Sequence, residues 1–326
     1  MQKIEILHSV GKGSKNKAID VALIQALLQS YYKNVKTEES LAKDKNKKDF
    51  STLQVNGSLS DFLIEAIKQF QTSIVKMKVP DSRIDPRGMS FNKLVSAQTT
   101  KPTSLAKTLF GTTTFGTAVL NTIPASRFKI FFKQYYGLTT TKGEDLSGFF
   151  EKIKQDSNIT SFGWAAYMLA TAYHETTFSF KPKSESGKGN GHRYSKVYDV
   201  KDVKGIRGKP GAIYKNVYYG RGYVQLTWDK NYKILGKALG IGDKLYINPD
   251  LALDPDIAYN ITSLGMRDGI FTTKKLSDYI TANKVDYLNA RRIINGTDEA
   301  SKIAEYALLI EYLLRLAAQP LTASKK

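Results

Sequence analysis

Cysteine is absent from all 326 residues, which excludes disulfides, thiolate metal ligands and a cysteine nucleophile together. Histidine is nearly absent: His8, His174 and His192 are too few for a multi-histidine zinc centre. No metal or organic cofactor is therefore expected, and any chemistry falls to carboxylates, hydroxyls and amides. No apolar run reaches the roughly 18 residues a membrane span requires, so stable membrane insertion is not expected. The opening "MQKIEILHSVGKGSKNK" lacks an apolar core and a small-residue cleavage site, which predicts a chain made in the cytoplasm without a signal peptide. Acidic residues are scarce beside basic ones, 30 Asp and Glu against 49 Lys and Arg, for a net charge of +19. Such an excess points to a polyanionic partner. The chain carries no recognisable nucleic-acid reader motif, so nucleic acid is not expected. The excess is spread out: residues 1–98 hold 16 Lys and Arg against 10 Asp and Glu. Diffuse charge favours adhesion to an anionic surface over a shaped groove.

What is present is apolar periodicity, at 41% hydrophobic residues, enough for a globular chain of one large or two ordinary domains. In "AIDVALIQALLQSYYKN" Val21, Ile24, Leu27, Leu28 and Tyr31 follow helical spacing. After a lysine-rich loop and an Asn56-Gly57 turn, Ser60 is placed to cap a helix with Leu63, Ala66, Ile67, Phe70 and Ile74 on one face. A second turn, "DSRIDPRG", leads to Ser90 as the expected cap of a short helix through Phe91, Leu94 and Val95. Residues 99–122 are rich in Thr, Gly and Ser, a linker composition relieved only by Leu109 and Phe110. Periodicity returns from Ile123. The reading is a helical domain over 1–98, a linker over 99–122 and a second domain over 123–326.

In the second domain "ITSFGWAAYMLATAYHETT" is apolar almost all round, which predicts a central buried helix capped by Thr160 or Ser161 and stopped ahead of Pro182. Glu175 falls in its last turn, where the helix dipole and desolvation both favour a protonated carboxyl, the state of a general acid. Glu185 follows in the polar, glycine-rich "SESGKGNGHRYSK" near Lys183, Lys188 and Arg193, a setting that favours the ionised form and suits a base. Helix punctuation alone would also place two glutamates so. Downstream, "NVYYGRGYVQLTWDKNY" gathers tyrosines, Trp228, amides and hydroxyls, and alternation at Tyr223, Gln225 and Thr227 predicts one strand face. Aromatic faces with amide and hydroxyl donors suit a sugar cleft.

Two resemblances follow from these stretches. The segment "VNGSLSDFLIEAIKQFQ", with Ala66-Ile67 and Phe70-Gln71, resembles the three-helix peptidoglycan-binding domain, with Asn56 where that family has Asp. His174-Glu175-Thr176, Glu185 beyond Pro182, the run Tyr219 to Trp228, Asn248-Pro249-Asp250 and Ile294-Asn295-Gly296 resemble glycoside hydrolase family 19, the plant-type chitinases and related bacterial and phage lysozymes. The second resemblance spans about residues 123–322. It implies a mainly α, lysozyme-like α+β catalytic domain with a small β element. It further implies Glu175 as general acid, Glu185 as general base and Thr227 as a hydroxyl that helps hold the water. Tyr219, Gln225, Trp228, Asn231 and Asn295 would line the sugar site. His174 would be either a hydrogen-bonding support of the cleft or a packed core histidine. An arginine that plant chitinases carry after the Asn-Gly turn is matched here by Tyr306.

Chitin and the glycan strand of peptidoglycan share β-1,4-linked N-acetylglucosamine, so cleft residues do not separate them. The N-terminal resemblance and the positive charge favour peptidoglycan strands and hence a lysozyme-type endolysin or antibacterial effector. Such a protein would act at the periplasm or cell wall as a monomer. It would be released by a holin or a secretion machine, an effector also requiring an immunity protein. A chitinase and a non-catalytic wall-binding protein are the alternatives.

Overall fold

The computed structural model describes residues 6, 8–35, 48–53, 57–97, 117–136, 145–159, 161–281 and 284–318. Asn56, most of the lysine-rich loop, Leu109, Phe110, Thr160 and the chain beyond 318 lie outside the described residues. The protein is mainly helical, with three small antiparallel strand pairs among the described residues.

The N-terminal part contains β1 (Val10–Gly11), α1 (Ala18–Val35), α2 (Asp61–Phe70), β2 (Arg83–Ile84) and α3 (Met89–Ser96). Ser60 caps α2 as expected, its Oγ accepting the Leu63 N–H at 3.2 Å. The helix then widens into one turn, Gln71–Val75, which Lys76 ends in a left-handed conformation. Ser90 does not cap α3: Gly88 holds that position, and Ser90 turns inward to accept from the buried Gln71 Nε2 at 3.2 Å. The fully buried Gln71 also accepts the Ser82 N–H through Oε1, and its Nε2 donates over shorter distances to Asp81 Oδ1 at 2.7 Å and the Arg83 carbonyl at 2.8 Å. Ile6, Val10, Leu27, Phe50, Ile67, Phe70, Ile84 and Leu94 belong to one apolar cluster drawn entirely from residues 6–94.

The rest of the chain supplies α4 (Thr117–Thr122), α5 (Ala125–Tyr136), α6 (Leu146–Gln155), α7 (Phe162–Glu175), β3 (Lys183–Ser184), β4 (Tyr198–Asp202), β5 (Ala212–Asn216), β6 (Arg221–Gly222), α8 (Asp229–Ala238), α9 (Lys244–Ile247), α10 (Pro255–Asp268), α11 (Leu276–Tyr279), α12 (Tyr287–Ala290) and α13 (Ala300–Ala318). Helix α4 occupies the last six residues of the stretch read as linker. The chain groups into two compact units, one within 1–114, 122–138 and 312–326, the other within 115–121 and 139–311. In the first unit α5 lies against α1, so this grouping crosses the linear boundary drawn between residues 122 and 123.

In the second unit α7 is the central helix. Ser161 Oγ accepts the Trp164 N–H at 3.1 Å, and every residue from Phe162 to Tyr173 except Trp164 is buried. Trp164 spends its indole N–H on the Ile280 carbonyl at 2.9 Å. Beyond Glu175 the chain reverses sharply, with Thr177, Phe178 and Phe180 at φ values of 54°, 69° and 59°. Side chains rarely adopt that region. It is held here because Phe178 N–H donates to the Tyr173 carbonyl at 2.8 Å and Phe180 N–H to Thr176 Oγ1 at 2.9 Å. The reversal delivers Glu185 to the end of β3, which pairs antiparallel with β6 in the register Lys183 to Gly222 and Ser184 to Arg221.

Candidate active site

Glu175 ends α7, but it is not the lone desolvated carboxyl that the helix-end argument described. Its Oε1 accepts from Arg291 Nη1 at 2.8 Å, and the guanidinium is almost wholly buried while Glu175 is 16% exposed. Arg291 Nε donates to the Asp298 carbonyl at 2.8 Å, so the loop after Asn295-Gly296 fixes the arginine that fixes the acid. Arg291 was missed in the sequence because its partner lies 116 positions away. Tyr306, which the alignment of motifs set in an arginine's place, instead packs edge-on against Tyr173 at 5.2 Å. The guanidinium that reaches Glu175 comes from Arg291, ahead of the Asn-Gly turn. Beside Glu175, His174 is half-buried, and burial holds its imidazole below the ordinary value of 6.5.

Glu185 stands on different supports. Oε1 accepts the Tyr194 hydroxyl at 2.7 Å, Oε2 accepts the Gly220 N–H at 2.9 Å, and Glu185 N–H donates to the Gly220 carbonyl at 2.8 Å. His192 Nε2 lies 3.7 Å from Oε1. The expected lysine at β3 turns elsewhere, Lys183 Nζ donating to Thr177 Oγ1 across the reversal. Burial and the hydrogen bond to Glu185 push the Tyr194 phenol up to about 12. The Tyr194 ring stacks on His192 at 5.0 Å and meets the Trp228 indole edge-on at 5.6 Å. Trp228 is 39% exposed, so an accessible aromatic face adjoins the residues that hold Glu185. His192 and Tyr194 were not singled out from the sequence; their place in the glycine-rich run after Glu185 was the available signal.

The stretch from Tyr219 to Trp228 does not form the predicted strand face. Arg221 and Leu226 exchange backbone hydrogen bonds at 3.2 and 2.8 Å, closing a tight turn. Gln225 and Trp228 adopt left-handed φ values of 52° and 71°, which breaks the alternation. Tyr223 consequently enters the core against Phe149, and Gln225 Nε2 braces the Lys183 carbonyl at 3.1 Å and that of Gly222 at 3.2 Å. Gly220 admits this brace, since a Cβ there would stand 2.8 Å from Gln225 Oε1. Tyr219 is buried beneath the Arg221 guanidinium, 3.5 Å from its ring centroid. Arg221, itself buried, donates through Nε to Asp250 at 2.9 Å and through Nη1 to the Val217 and Tyr219 carbonyls. The Tyr-Gly-Arg-Gly and Asn-Pro-Asp segments are thus two halves of one ion pair.

Thr227 is half-buried, and its carbonyl accepts from Asn231 Nδ2 at 2.9 Å. Asn295 has an exposed side chain and donates its backbone N–H to the Arg291 carbonyl at 3.0 Å. Glu185, Trp228, Gln225, Tyr219 and the Thr227–Asn231 pair thus cluster around the β3–β6 segment. His174 and Arg291 stand beside Glu175, and Asn295 is tied to Arg291 through its backbone N–H.

Comparison with known proteins gives the following. Residues 125–266 match the family model "Chitinase class I" of glycoside hydrolase family 19, a span that holds both glutamates and Thr227 but ends before Arg291 and Asn295. A 43-residue segment, 13% of the chain, is 51% identical to the acidic 26 kDa endochitinase of Solanum lycopersicum. The acidic endochitinase pcht28 of Solanum chilense matches to the same extent. The chain spans 17% of the length of each of these curated relatives. Among solved structures, chitinase C from Streptomyces griseus HUT6037 shares 22% identity over 59% of this chain and 92% of that one, with a TM-score of 0.38. A bacterial family 19 chitinase shares 22% identity over 62% and 95%, with a TM-score of 0.33.

Proposed function

Because residues 125–266 belong to glycoside hydrolase family 19, we propose that the protein hydrolyses β-1,4 bonds in a polymer containing N-acetylglucosamine. Glu175 acts as the acid and Glu185 as the base. The observation that carries this reading is the separate fixing of the two carboxyls, Glu175 by Arg291 and Glu185 by Tyr194 and the Gly220 N–H. Arg291 occupies Glu175 Oε1 and leaves Oε2 to carry the proton that the leaving oxygen needs. Each Glu185 oxygen keeps a second lone pair beyond the hydrogen bond it accepts, so the group can still take a proton from water. Thr227 offers a hydroxyl to that water, and the exposed Trp228 face offers a platform for a sugar ring. An acid and a base acting on opposite faces of the anomeric carbon give hydrolysis with inversion.

Chitin is the better supported polymer, since the matched family and both curated relatives bear chitinase names. A second reading, peptidoglycan, is favoured by the N-terminal helices, which share one apolar cluster, and by the charge of +19, which suits the peptide carboxylates of murein. On that reading the protein is a monomeric wall-cleaving enzyme acting outside the cytoplasm, delivered by a holin or a secretion machine. Mass spectrometry of products from colloidal chitin and from purified sacculi, with Glu175→Gln as the control, decides between the two. Release of N-acetylglucosamine oligomers supports chitin, and release of disaccharide-peptides supports murein. Turnover of neither would leave a non-catalytic wall-binding protein.

A further inference from the structure

Glu175 is the last member of a row on α7 whose other polar members the proposed reaction does not use. Tyr167, Thr171 and His174 precede it at i, i+4 and i+7, and Glu175 completes the row at i+8, so all four lie on one stripe of the helix. Tyr167 and Thr171 are fully buried in the helix that forms the centre of this unit. Among the described residues, Tyr167 Oη, Thr171 Oγ1 and His174 Nδ1 are buried polar atoms without a hydrogen-bond partner. The Thr171 hydroxyl is close enough to Tyr167 to act on its phenol as a hydrogen-bonding group, beside the charges of Arg291 and Glu175, although the two hydroxyls fall short of full hydrogen-bond geometry. Leaving one such atom unsatisfied costs roughly 1–3 kcal/mol, so three on one stripe require a common explanation. Buried water commonly satisfies such groups and needs two to four polar partners, which this row supplies.

We propose that the Tyr167–Thr171–His174 stripe holds internal water against the buried side of the Glu175–Arg291 pair and is a positioning element for the acid. The hydroxyls and the imidazole ligate the water. The water in turn offers a hydrogen bond to the carboxyl from the face opposite the cleft, so the side chain is held from behind as well as by Arg291. None of the three residues touches substrate. The groups that face His174 are Glu175 on its own helix, Arg291, and Glu299, Lys302 and Tyr306 at and along α13. All of these remain in the variants below.

This inference rests on the acid role given to Glu175, and its test uses a readout independent of turnover. Thr171→Val and Tyr167→Phe each remove a hydroxyl with little change of shape, whereas Thr171→Ser keeps it. NMR titration of the His174 imidazole in the full chain should move further below the wild-type midpoint in the Val and Phe variants, by about half a unit. It should stay at the wild-type value with Ser. On whichever polymer the wild type cleaves, kcat should fall about tenfold in the first two variants with KM within about twofold. An unmoved His174 midpoint in both Val and Phe variants, or a Ser variant that behaves like Val, would overturn the proposal. A wild type that cleaves neither polymer would remove the catalytic reading, while the titration would still judge the stripe.

Discussion

Arg291 determines how Glu175 is presented. A guanidinium that is almost wholly buried donates one N–H to Oε1 and another to the Asp298 carbonyl, so the carboxyl cannot swing with the free rotation of an ordinary helix-end glutamate. Removing the cation leaves a largely buried carboxyl without its partner, a change that typically costs roughly 3–5 kcal/mol. Arg291→Met should therefore lower the melting temperature by roughly ten degrees and reduce kcat, both read on one preparation. By contrast, Glu185→Gln should cut kcat by roughly 10²–10⁴ while leaving the melting temperature nearly unchanged, whereas Glu175→Gln should cut kcat as much and also lower the melting temperature, because it leaves the buried Arg291 guanidinium without its anion. An amide variant retaining more than about a tenth of the activity would remove that glutamate from acid-base work. Both glutamates were legible as a contrast of settings, one ending an apolar run and one in a glycine-rich loop. Their actual supports were not. Arg291 reaches Glu175 from 116 positions away, and Gly220 contributes a backbone N–H that no side-chain pattern reveals.

At the level of elements, α7 and the β3–β6 pair divide the labour. The helix was readable to its N-cap because an all-round apolar run admits few alternatives and Ser161 precedes it. The segment after β6 was misread because alternation of side-chain type from Tyr223 to Thr227 looks like a strand. Left-handed backbone at Gln225 and Trp228, with reciprocal hydrogen bonds between Arg221 and Leu226, bends it into a turn instead. Arg221 holds that turn through Asp250 and two backbone carbonyls. A lysine has one point charge where this arginine uses a planar fork, so Arg221→Lys should lower the melting temperature by about 5–10 °C, measured by calorimetry. Helix α7 also carries a pH dependence. Burial keeps His174 below 6.5 in the fold, so above that pH the imidazole is neutral in both states and contributes no slope. As pH falls through 6.5 the unfolded chain takes up a proton that the fold resists, and stability declines until the folded value is passed. Urea midpoints at about pH 7.5 and pH 5.5 should fall further for the wild type than for His174→Gln.

The N-terminal helices share one apolar cluster and the second compact unit carries the candidate site, under a net charge of +19. An interruption of apolar periodicity between residues 99 and 122 was visible in the sequence. The grouping of α5 with α1 was not, because packing partners of an amphipathic helix are not written in its own period. If the charge serves adhesion to murein, retention on sacculi should fall steeply between about 0.05 and 0.5 M salt, as the screening length contracts, whereas retention on neutral chitin should not. A pull-down across that salt range reads this directly. The proposed reaction uses two separately held glutamates, one as acid and one as base, with water attacking the anomeric carbon. Proton NMR of the products in the first minutes, before mutarotation, tests it most directly. Inversion gives a reducing sugar in the α configuration; a β-anomer or a 1,6-anhydro product would rule this mechanism out.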